Sequence, residues 1–338
     1  MRLFKNDYSE LAHPRILEAL SRFQKEQNIP YGLDYHSENA SKKIKEVFNS
    51  KGEVYFLAGG TQTNVLFISS ALKHYEGVIA CDSGHINVHE TAALEGQGYK
   101  IITVKGKEGK VYPQDIEHVL DTYDNEHMVK PRVVYISNST EIGTIYSRQE
   151  LIDLHNICKN NDLYFFIDGA RLGSALTSKD NDVEPSLLGE ICDAFYVGGT
   201  KNGFLIGEAL VINNRDLTTN YRYHVKNKGA MLAKGYLVGI EFEEAFKDNL
   251  YFDLARHTNE IADYLKSGIN KLNLKTTYSP TNQVFVTIKK EYANRLIDRY
   301  GCEKWEEQGS EMTIRFVTSF LTTKEDVDEL LSYLASLA

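Results

Sequence analysis

One lysine in the chain stands where it could form a covalent bond with a carbonyl compound. Lys201 lies on a glycine-rich turn, and Asp168 ends an apolar run 33 residues earlier. A lysine amine forms Schiff bases with aldehydes, and an aspartate at a strand end can hold a pyridine nitrogen protonated, which makes the ring an electron sink. The pair therefore predicts an enzyme that uses pyridoxal 5'-phosphate (PLP).

A glycine-rich turn could bind the phosphate of that cofactor. Gly59, Gly60 and Thr61 follow a strand pattern and open an apolar helical pattern. Small residues let backbone N–H groups and the Thr61 hydroxyl approach an anion at the positive end of a helix. The alternative is a plain strand-to-helix turn with Thr61 as the helix cap. Neither the GK[ST] ending of a Walker loop nor a GxGxxG dinucleotide turn is present.

His85 follows another strand pattern, so we expect it at the carboxyl edge of the sheet, where open α/β folds bind ligands. Its flat imidazole could stack on the pyridine ring and also relay a proton. His89 stands four residues later, but the pair lacks the internal acid of HExxH, and the four cysteines form no CxxC pair. We therefore expect no metal site, and His89 is interpreted as a helix-face histidine.

Two arginines are candidates for binding a substrate carboxylate. Arg171 follows Asp168 by three residues, a spacing that also allows a purely structural ion pair. Arg315 alternates with apolar residues in a strand pattern, where its guanidinium could either face solvent or grip a carboxylate through two parallel hydrogen bonds.

Composition restricts the classes of partner. The chain has 338 residues, with 47 acidic and 38 basic residues for a formal charge of −9, and 42% of its residues are hydrophobic. This balance predicts a globular protein that binds small molecules rather than nucleic acid or anionic membranes. The charged start of the chain, the lack of a long apolar stretch and the separated cysteines lead us to expect a cytoplasmic protein.

Alternating strand and helix patterns predict a large α/β domain with a mainly parallel sheet of seven strands. The predicted strands are 54–57, 77–81, 100–104, 132–136, 164–167, 194–197 and 207–212, and helices are predicted at 62–74, 89–95, 112–123, 147–160 and 184–189. Later patterns predict helices at 231–245, 249–272 and 323–337 and strands at 283–288, 305–310 and 313–317. The predicted domains are 1–247, which includes the N-terminal segment, and a smaller α+β domain, 248–338.

Together these motifs resemble the threonine aldolase and aromatic amino acid β-eliminating lyase family. The resemblance extends from Asn6-Asp7-Tyr8-Ser9 to the strand of Arg315, and five motifs occur in the family's order. The sharpest of them are Gly59-Gly60-Thr61-Gln62-Thr63-Asn64, His85-Ile86 with Glu90, Asp168-Gly169-Ala170-Arg171 and Gly199-Thr200-Lys201. The resemblance implies the PLP-dependent transferase fold of type I, as in aspartate aminotransferase.

The resemblance also implies a role for each candidate residue. Lys201 would form the Schiff base, Asp168 would contact the pyridine nitrogen, and His85 would stack on the ring. The remaining cofactor ligands would be Gly59, Gly60, Thr61, Arg171 and Thr200, and the substrate carboxylate would bind Arg171 and Arg315. Family members form dimers or tetramers with shared active sites, so Tyr31-Gly32 and the basic segment with Arg222, Lys226, Lys228 and Lys234 could serve a neighbouring subunit.

One departure bears on the reaction. Many threonine aldolases carry Glu-Asn-Thr-His-Asn, whereas this chain has Ser139-Thr140-Glu141 in that region, as in a divergent low-specificity branch. His85, Glu141 or a water molecule is then the candidate base. The predicted reaction is retro-aldol cleavage of threonine or allo-threonine to glycine and an aldehyde. The alternatives are β-elimination from a serine-like, cysteine-like or aromatic amino acid and, less favoured, a PLP-binding protein without turnover.

Overall fold

The computed structural model describes residues 2–337, and its largest element is a sheet of seven strands. These strands are β1 (Glu53–Leu57), β2 (Glu76–Cys81), β3 (Lys100–Val104), β4 (Lys130–Ser137), β5 (Tyr164–Asp168), β6 (Ala194–Gly198) and β7 (Glu208–Ile212). Their order is β1-β7-β6-β5-β4-β2-β3. The strands from β2 to β6 run parallel, and β7 is antiparallel to both β6 and β1.

Helices cover both faces of this sheet because its central strands are apolar on both sides, as buried parallel strands must be. The helices of this part are α1 (Pro14–Arg22), α2 (Tyr35–Val47), α3 (Gly60–Ala71), α4 (His85–Val88), α5 (Pro113–Thr122), α6 (Arg148–Asn160), α7 (Leu172–Leu176), α8 (Pro185–Ile191), α9 (Tyr221–Asn227) and α10 (Tyr236–Ala245). The side chains between sheet and helices form two apolar clusters, one on each face.

A smaller antiparallel sheet forms the C-terminal part of the chain. Its strands are β8 (Lys275–Thr277), β9 (Gln283–Lys289), β10 (Glu303–Gln308) and β11 (Glu311–Val317), in the order β10-β11-β9-β8. The helices α11 (Leu250–Lys271), α12 (Lys290–Tyr300) and α13 (Lys324–Leu337) follow α10 and pack with this sheet around a third apolar cluster. The predicted fold class is thus confirmed, whereas the boundary at residue 248, between α10 and α11, stays a prediction.

The sequence patterns located the strands better than the helices. All seven predicted strands of the large sheet are present, but the helices α1, α2, α4, α7, α9 and α12 and the strand β8 were not predicted. The helix predicted at 89–95 is wrong: α4 ends at Val88, and only a short 3-10 turn, Glu95–Gln97, follows. Thr91 and Ala92 have φ values of +50° and +55°, in the left-handed region that interrupts a right-handed helix.

The N-terminal segment crosses to the C-terminal part. The Phe4 N–H donates to the Tyr300 carbonyl at 2.8 Å, and the Phe4 carbonyl accepts from the Val317 N–H at 2.9 Å. The Phe4 ring is fully buried in the third apolar cluster, edge-on to the rings of Tyr300 and Phe316. Phe4 is therefore held between the end of α12 and the end of β11.

We expect Phe4→Ala to destabilise the protein strongly, because loss of a fully buried phenylalanine costs about 3–5 kcal/mol. The measurement is the midpoint of thermal or urea unfolding. The neighbouring Leu3 is 49% exposed and supplies the control, since Leu3→Ala should leave the midpoint nearly unchanged. Equal effects of the two substitutions would contradict the anchoring contact.

Candidate active site

The predicted site residues converge at the carboxyl edge of the parallel strands. Asp168 is the last residue of β5, beside Ser137 at the end of β4. The next parallel strand, β6, ends at Gly198 and leads directly into the turn that carries Lys201. In open α/β sheets this edge is where ligands bind.

Asp168 is buried and accepts four hydrogen bonds. One carboxylate oxygen accepts from the Tyr135 hydroxyl at 2.7 Å and the Asn64 amide at 2.9 Å. The other accepts from the Ala170 N–H at 3.0 Å and from the Tyr196 hydroxyl. Burial raises the pKa of this carboxyl, but nearby His85 and the donors outweigh burial and hold the pKa below its usual value. Asp168 is therefore a fixed anion.

A closed loop from Gly199 to Gly207 holds Lys201. The N–H groups of Gly199 and Thr200 both donate to the Gly207 carbonyl at 3.1 Å, and the Thr200 hydroxyl oxygen accepts from the Gly207 N–H at 3.0 Å. Burial and the Arg171 charge lower the pKa of the Lys201 amine, which favours the neutral, nucleophilic form. The Lys201 Nζ lies 5.8 Å from the centroid of the Tyr8 ring.

Two buried acids that the sequence reasoning missed support this loop. Glu208 Oε2 accepts from the Gly199 N–H at 2.9 Å, and Glu241 Oε2 accepts from the Leu205 N–H at 2.6 Å. Burial raises the pKa of Glu208, and it raises the pKa of Glu241 to about 7. An acid at the head of the apolar strand β7 was the available signal for Glu208.

His85 is oriented by a buried carboxylate. Its Nδ1 lies 2.8 Å from Glu90 Oε1, and the same oxygen accepts from the Asn64 amide at 2.8 Å. A carboxylate only accepts hydrogen bonds, so Nδ1 carries a proton, and in the neutral imidazole Nε2 is the nitrogen with the lone pair. Since Asn64 also donates to Asp168, one amide links the aspartate to the histidine. Asn64 lay in a recognised motif, but its linking role was not predicted.

Glu141, the second candidate base, lies beside His85. One Glu141 oxygen accepts from the His85 N–H at 2.9 Å and from the Ser137 hydroxyl at 2.6 Å. Burial raises the pKa of Glu141, although its bond with Ser137 acts in the opposite direction. The structure thus brings both candidates to one place.

The two arginines each contact an acid of the chain. Arg171 forms an ion pair with Asp7 at 2.7 Å and not with Asp168, so the pair suggested by the spacing of three residues is absent. Arg315 donates to the Gln283 side chain at 2.8 Å and forms an ion pair with Glu303. Burial, followed by the Arg171 charge, lowers the pKa of Arg315, because the two cations are neighbours.

The glycine turn at Gly59 opens the helix α3. Gly59 is the N-cap residue, and no side chain caps the helix end, so Thr61 is not the cap that the alternative interpretation required. A Cβ atom at Gly59 would meet nothing within 4 Å, whereas one at Gly60 would lie 3.0 Å from the Tyr196 hydroxyl. The start of α3 therefore has no side-chain cap, has open space beside Gly59, and lies at Gly60 against Tyr196, a residue that contacts Asp168.

The segment with Tyr31 packs on the basic residues of the same chain. Arg222 donates to the Tyr31 carbonyl at 3.2 Å, and the Lys226 ammonium lies 5.2 Å from the centroid of the Tyr31 ring. Lys228 forms a hydrogen bond with the side chain of Gln97. None of these three contacts involves the loop that carries Lys201.

The fold and the site define an α/β enzyme with a lysine and an aspartate at neighbouring strand ends. The profile of the β-eliminating lyase family matches residues 13–291, and the chain belongs to that family. This result confirms the predicted family and the predicted class, a PLP-dependent lyase.

Individual proteins agree with this assignment. A low specificity L-threonine aldolase of Pseudomonas sp. (strain NCIMB 10558) is 30% identical over 264 residues, which cover 78% of this chain and 76% of that protein. The solved structure of Leishmania major threonine aldolase has a TM-score of 0.97 and 40% identity, covering 100% of this chain and 99% of its own. An aspartate aminotransferase double mutant of Thermus thermophilus has a TM-score of 0.74 at 13% identity, covering 100% and 91% of the two chains, and agrees in fold.

Two structural features are absent from residues 2–337. In this range no helix combines the length and the apolar character that a membrane span requires. The same residues contain no group of three or more histidine, cysteine, aspartate or glutamate side chains arranged to hold a metal ion.

We expect Glu241→Gln to stabilise the protein more at pH 8 than at pH 5. The buried Glu241 has a pKa raised from 4.5 to about 7, and its Oε1 has no hydrogen-bond partner. Between these pH values the unfolded chain loses this proton before the folded chain does, so stability falls as pH rises. Above pH 7 the raised pKa of Glu241 lowers the free energy of unfolding by at most about 3 kcal/mol, and glutamine, which does not ionise, removes this loss.

The measurement is the urea midpoint of both proteins across this pH range. Glu260→Gln, an exposed change on α11, is the control and should follow the wild type at every pH. A stability difference between Glu241→Gln and wild type that does not change with pH would contradict the raised pKa.

Proposed function

We propose that the protein cleaves a β-hydroxy-α-amino acid, threonine or allo-threonine, to glycine and an aldehyde. The observation that carries this proposal is the position of Lys201 and the ionised Asp168 at neighbouring strand ends, with Arg171 and Arg315 close by. The threonine aldolases of Pseudomonas and Leishmania major are similar over most or all of their length.

The residues present fit PLP. The lowered pKa of Lys201 favours the neutral amine that an aldehyde requires, and Asp168 is an anion suited to a protonated pyridine nitrogen. The uncapped start of α3, at Gly59, Gly60 and Thr61, offers N–H groups and open space for a phosphate. Thr200 acts by closing the loop of Lys201. When bound, PLP supplies a sink for the electrons released by Cα–Cβ cleavage.

Arg171 and Arg315 bind the substrate carboxylate in this proposal. Each guanidinium already contacts one acid of the chain, which fixes its position and leaves further N–H groups free to donate. Two cations on the carboxylate orient Cα relative to Lys201. Orientation of this kind contributes to the rate because the reacting bonds are held in place before the reaction begins.

We assign the proton of the β-hydroxyl to His85. Its Nδ1 donates to Glu90, so Nε2 is free to accept, and the side chain keeps 31% of its exposure. Glu141 already accepts two hydrogen bonds at one oxygen, from the His85 N–H and the Ser137 hydroxyl, which commits this carboxylate to holding the backbone there. In this proposal Glu141 holds the start of α4, and His85 moves the proton.

The proposal also includes a homodimer or homotetramer with active sites shared between subunits, and a cytoplasmic location. The support for the oligomer is a set of exposed apolar side chains close to Tyr31 in the sequence: Ile29 is 62% exposed, Leu33 59% and Tyr35 68%. Support for a reducing compartment comes from four cysteines that are all buried and unpaired within the described residues.

We expect Lys201→Ala to lose both the visible absorbance near 400–430 nm of the PLP-loaded protein and all turnover, because the covalent link to the cofactor is gone. The assay supplies L-threonine, L-allo-threonine and L-cysteine in turn and measures glycine, acetaldehyde and pyruvate. Lys42→Ala, an exposed lysine change on α2, is the matched control and should keep the band and the products.

The products decide between the reactions. Glycine with acetaldehyde supports aldol cleavage, whereas pyruvate from cysteine alone would replace it with β-elimination. A spectrum that changes with amino acids but yields no product would leave a PLP-binding protein without turnover. If reconstituted wild-type protein has no band, the roles of Lys201 and Asp168 are both wrong.

We expect His85→Asn to lower kcat for threonine by roughly 10²–10⁴-fold, the usual contribution of a general base, and Glu141→Gln to lower it less than about tenfold. His89→Asn is the control. The His89 ring centroid lies 5.5 Å from that of His85, so this variant makes the same change in the same neighbourhood, and we expect it to change kcat little because His89 has no role in the proposed reaction. The measurement is kcat against pH for each variant. A larger loss in Glu141→Gln than in His85→Asn would transfer the base to Glu141.

A further inference from the structure

The N-terminal segment, residues 4–10, reaches the substrate side of the site. Phe4 anchors it to Tyr300 and Val317, and three residues later Asp7 is 2% exposed. Tyr8 follows, with its ring centroid 5.8 Å from the Lys201 Nζ. A segment from one end of the chain is thus held against the residues that the proposed function uses.

Asp7 is the buried acid of this segment, and its carboxylate meets one edge of Arg171. Arg171 Nε donates to Asp7 Oδ2 at 2.7 Å, and Arg171 Nη2 donates to Asp7 Oδ1 at 3.1 Å. The Asn282 amide, one residue before β9, also donates to Oδ2 at 2.9 Å. Burial raises the pKa of Asp7, but Arg171 and Lys201 together hold it below its usual value, so Asp7 is ionised.

Two parallel hydrogen bonds fix a planar guanidinium in rotation as well as in position. They occupy the edge formed by Nε and Nη2, so Nη1 and the second hydrogen of Nη2 form the remaining donor edge. The direction of that edge is set by Asp7. No other hydrogen bond of the Arg171 guanidinium is found within residues 2–337.

We propose that Asp7 is a positioning residue that turns the free edge of Arg171 toward the substrate carboxylate. The inference rests on the proposed function, in which Arg171 binds that carboxylate. It assigns to the start of the chain a role in recognising the α-carboxylate, the group that all amino-acid substrates share. Asp7 does not touch the reacting atoms and acts through Arg171.

A purely electrostatic role for Asp7 makes the opposite prediction. Asp7 is an anion near the place where the substrate carboxylate would bind, so its charge alone repels the substrate. If charge were the main effect, Asp7→Asn would tighten carboxylate binding and Asp7→Glu would change it little. If orientation is the main effect, both substitutions weaken it, since asparagine loses one acceptor and glutamate moves the carboxylate by one methylene.

The experiment titrates the visible absorbance of the full-length, PLP-loaded protein with glycine and, separately, with methylamine, which lacks a carboxylate. We expect Asp7→Asn and Asp7→Glu each to raise the Kd for glycine at least tenfold and to leave the Kd for methylamine within twofold. With threonine as substrate, KM should rise by a similar factor while kcat changes less. General damage to the fold would weaken both amines alike.

Glu10→Gln is the matched control. Glu10 lies on the same segment, in an ion pair with Arg2 at 2.9 Å and a hydrogen bond from Ser319 at 2.8 Å, away from Arg171. This variant should bind glycine and methylamine as the wild type does. Where Asp7→Asn does not fold, the Asp7→Glu variant, which keeps the charge, decides the question.

The outcomes separate this inference from the proposed function. An unchanged or lower Kd for glycine in both Asp7 variants, with a wild type that responds to glycine, overturns the role of Asp7 alone. Equal weakening of glycine and methylamine also overturns it and leaves a structural role. A wild-type spectrum that does not respond to glycine overturns the proposed function, and the role of Asp7 with it.

Discussion

The buried carboxylate of Asp168 is the constraint on which the site depends. Moving an anion out of water costs several kcal/mol unless charges and donors compensate for it. Here the donors come from β4 (Tyr135), α3 (Asn64), β6 (Tyr196) and the chain just after β5 (Ala170). These elements must meet at one edge of the sheet if the acid is to stay ionised. The same meeting brings the turn of Gly59, His85 and the loop of Lys201 together.

The cations around this anion obey a second constraint, since like charges in a partly dry site repel each other. Each arginine is offset by an acid: Arg171 by Asp7, from the start of the chain, and Arg315 by Glu303, its partner on the neighbouring strand β10. Arg171 also lowers the pKa of Lys201, which favours a neutral amine. The N-terminal segment and the small sheet therefore contribute charges to a site built on the large sheet. The packing of Phe4 against the small sheet therefore also fixes the position of Asp7, the acid that pairs with Arg171.

Sequence patterns predicted what depends on near neighbours along the chain. Apolar runs located the seven strands, and the position of Asp168 directly after one of these runs predicted that this acid lies at the ligand-binding edge of the sheet. Contacts between distant residues were not readable: Asn64 is 104 residues from Asp168, and Asp7 is 164 residues from Arg171. The helix predicted at 89–95 failed because α4 ends at Val88 and the left-handed Thr91 and Ala92 interrupt any right-handed helix that follows. Glu90, inside this range, instead accepts a hydrogen bond from Asn64, 26 residues earlier, a contact that the local pattern could not show.

The loop of Lys201 illustrates why costly residues persist near a reacting group. Glu208 and Glu241 are acids in an apolar interior, and burial raises the pKa of both, which is a loss of stability at neutral pH. Each accepts a hydrogen bond from a backbone N–H of the loop, Glu208 from Gly199 and Glu241 from Leu205. A strand residue and a helix residue thereby fix the loop from two sides, and with it the direction of the Lys201 side chain. The protein thus loses some folding stability at Glu208 and Glu241, and in return the position of the Lys201 amine, on which the proposed chemistry depends, is fixed.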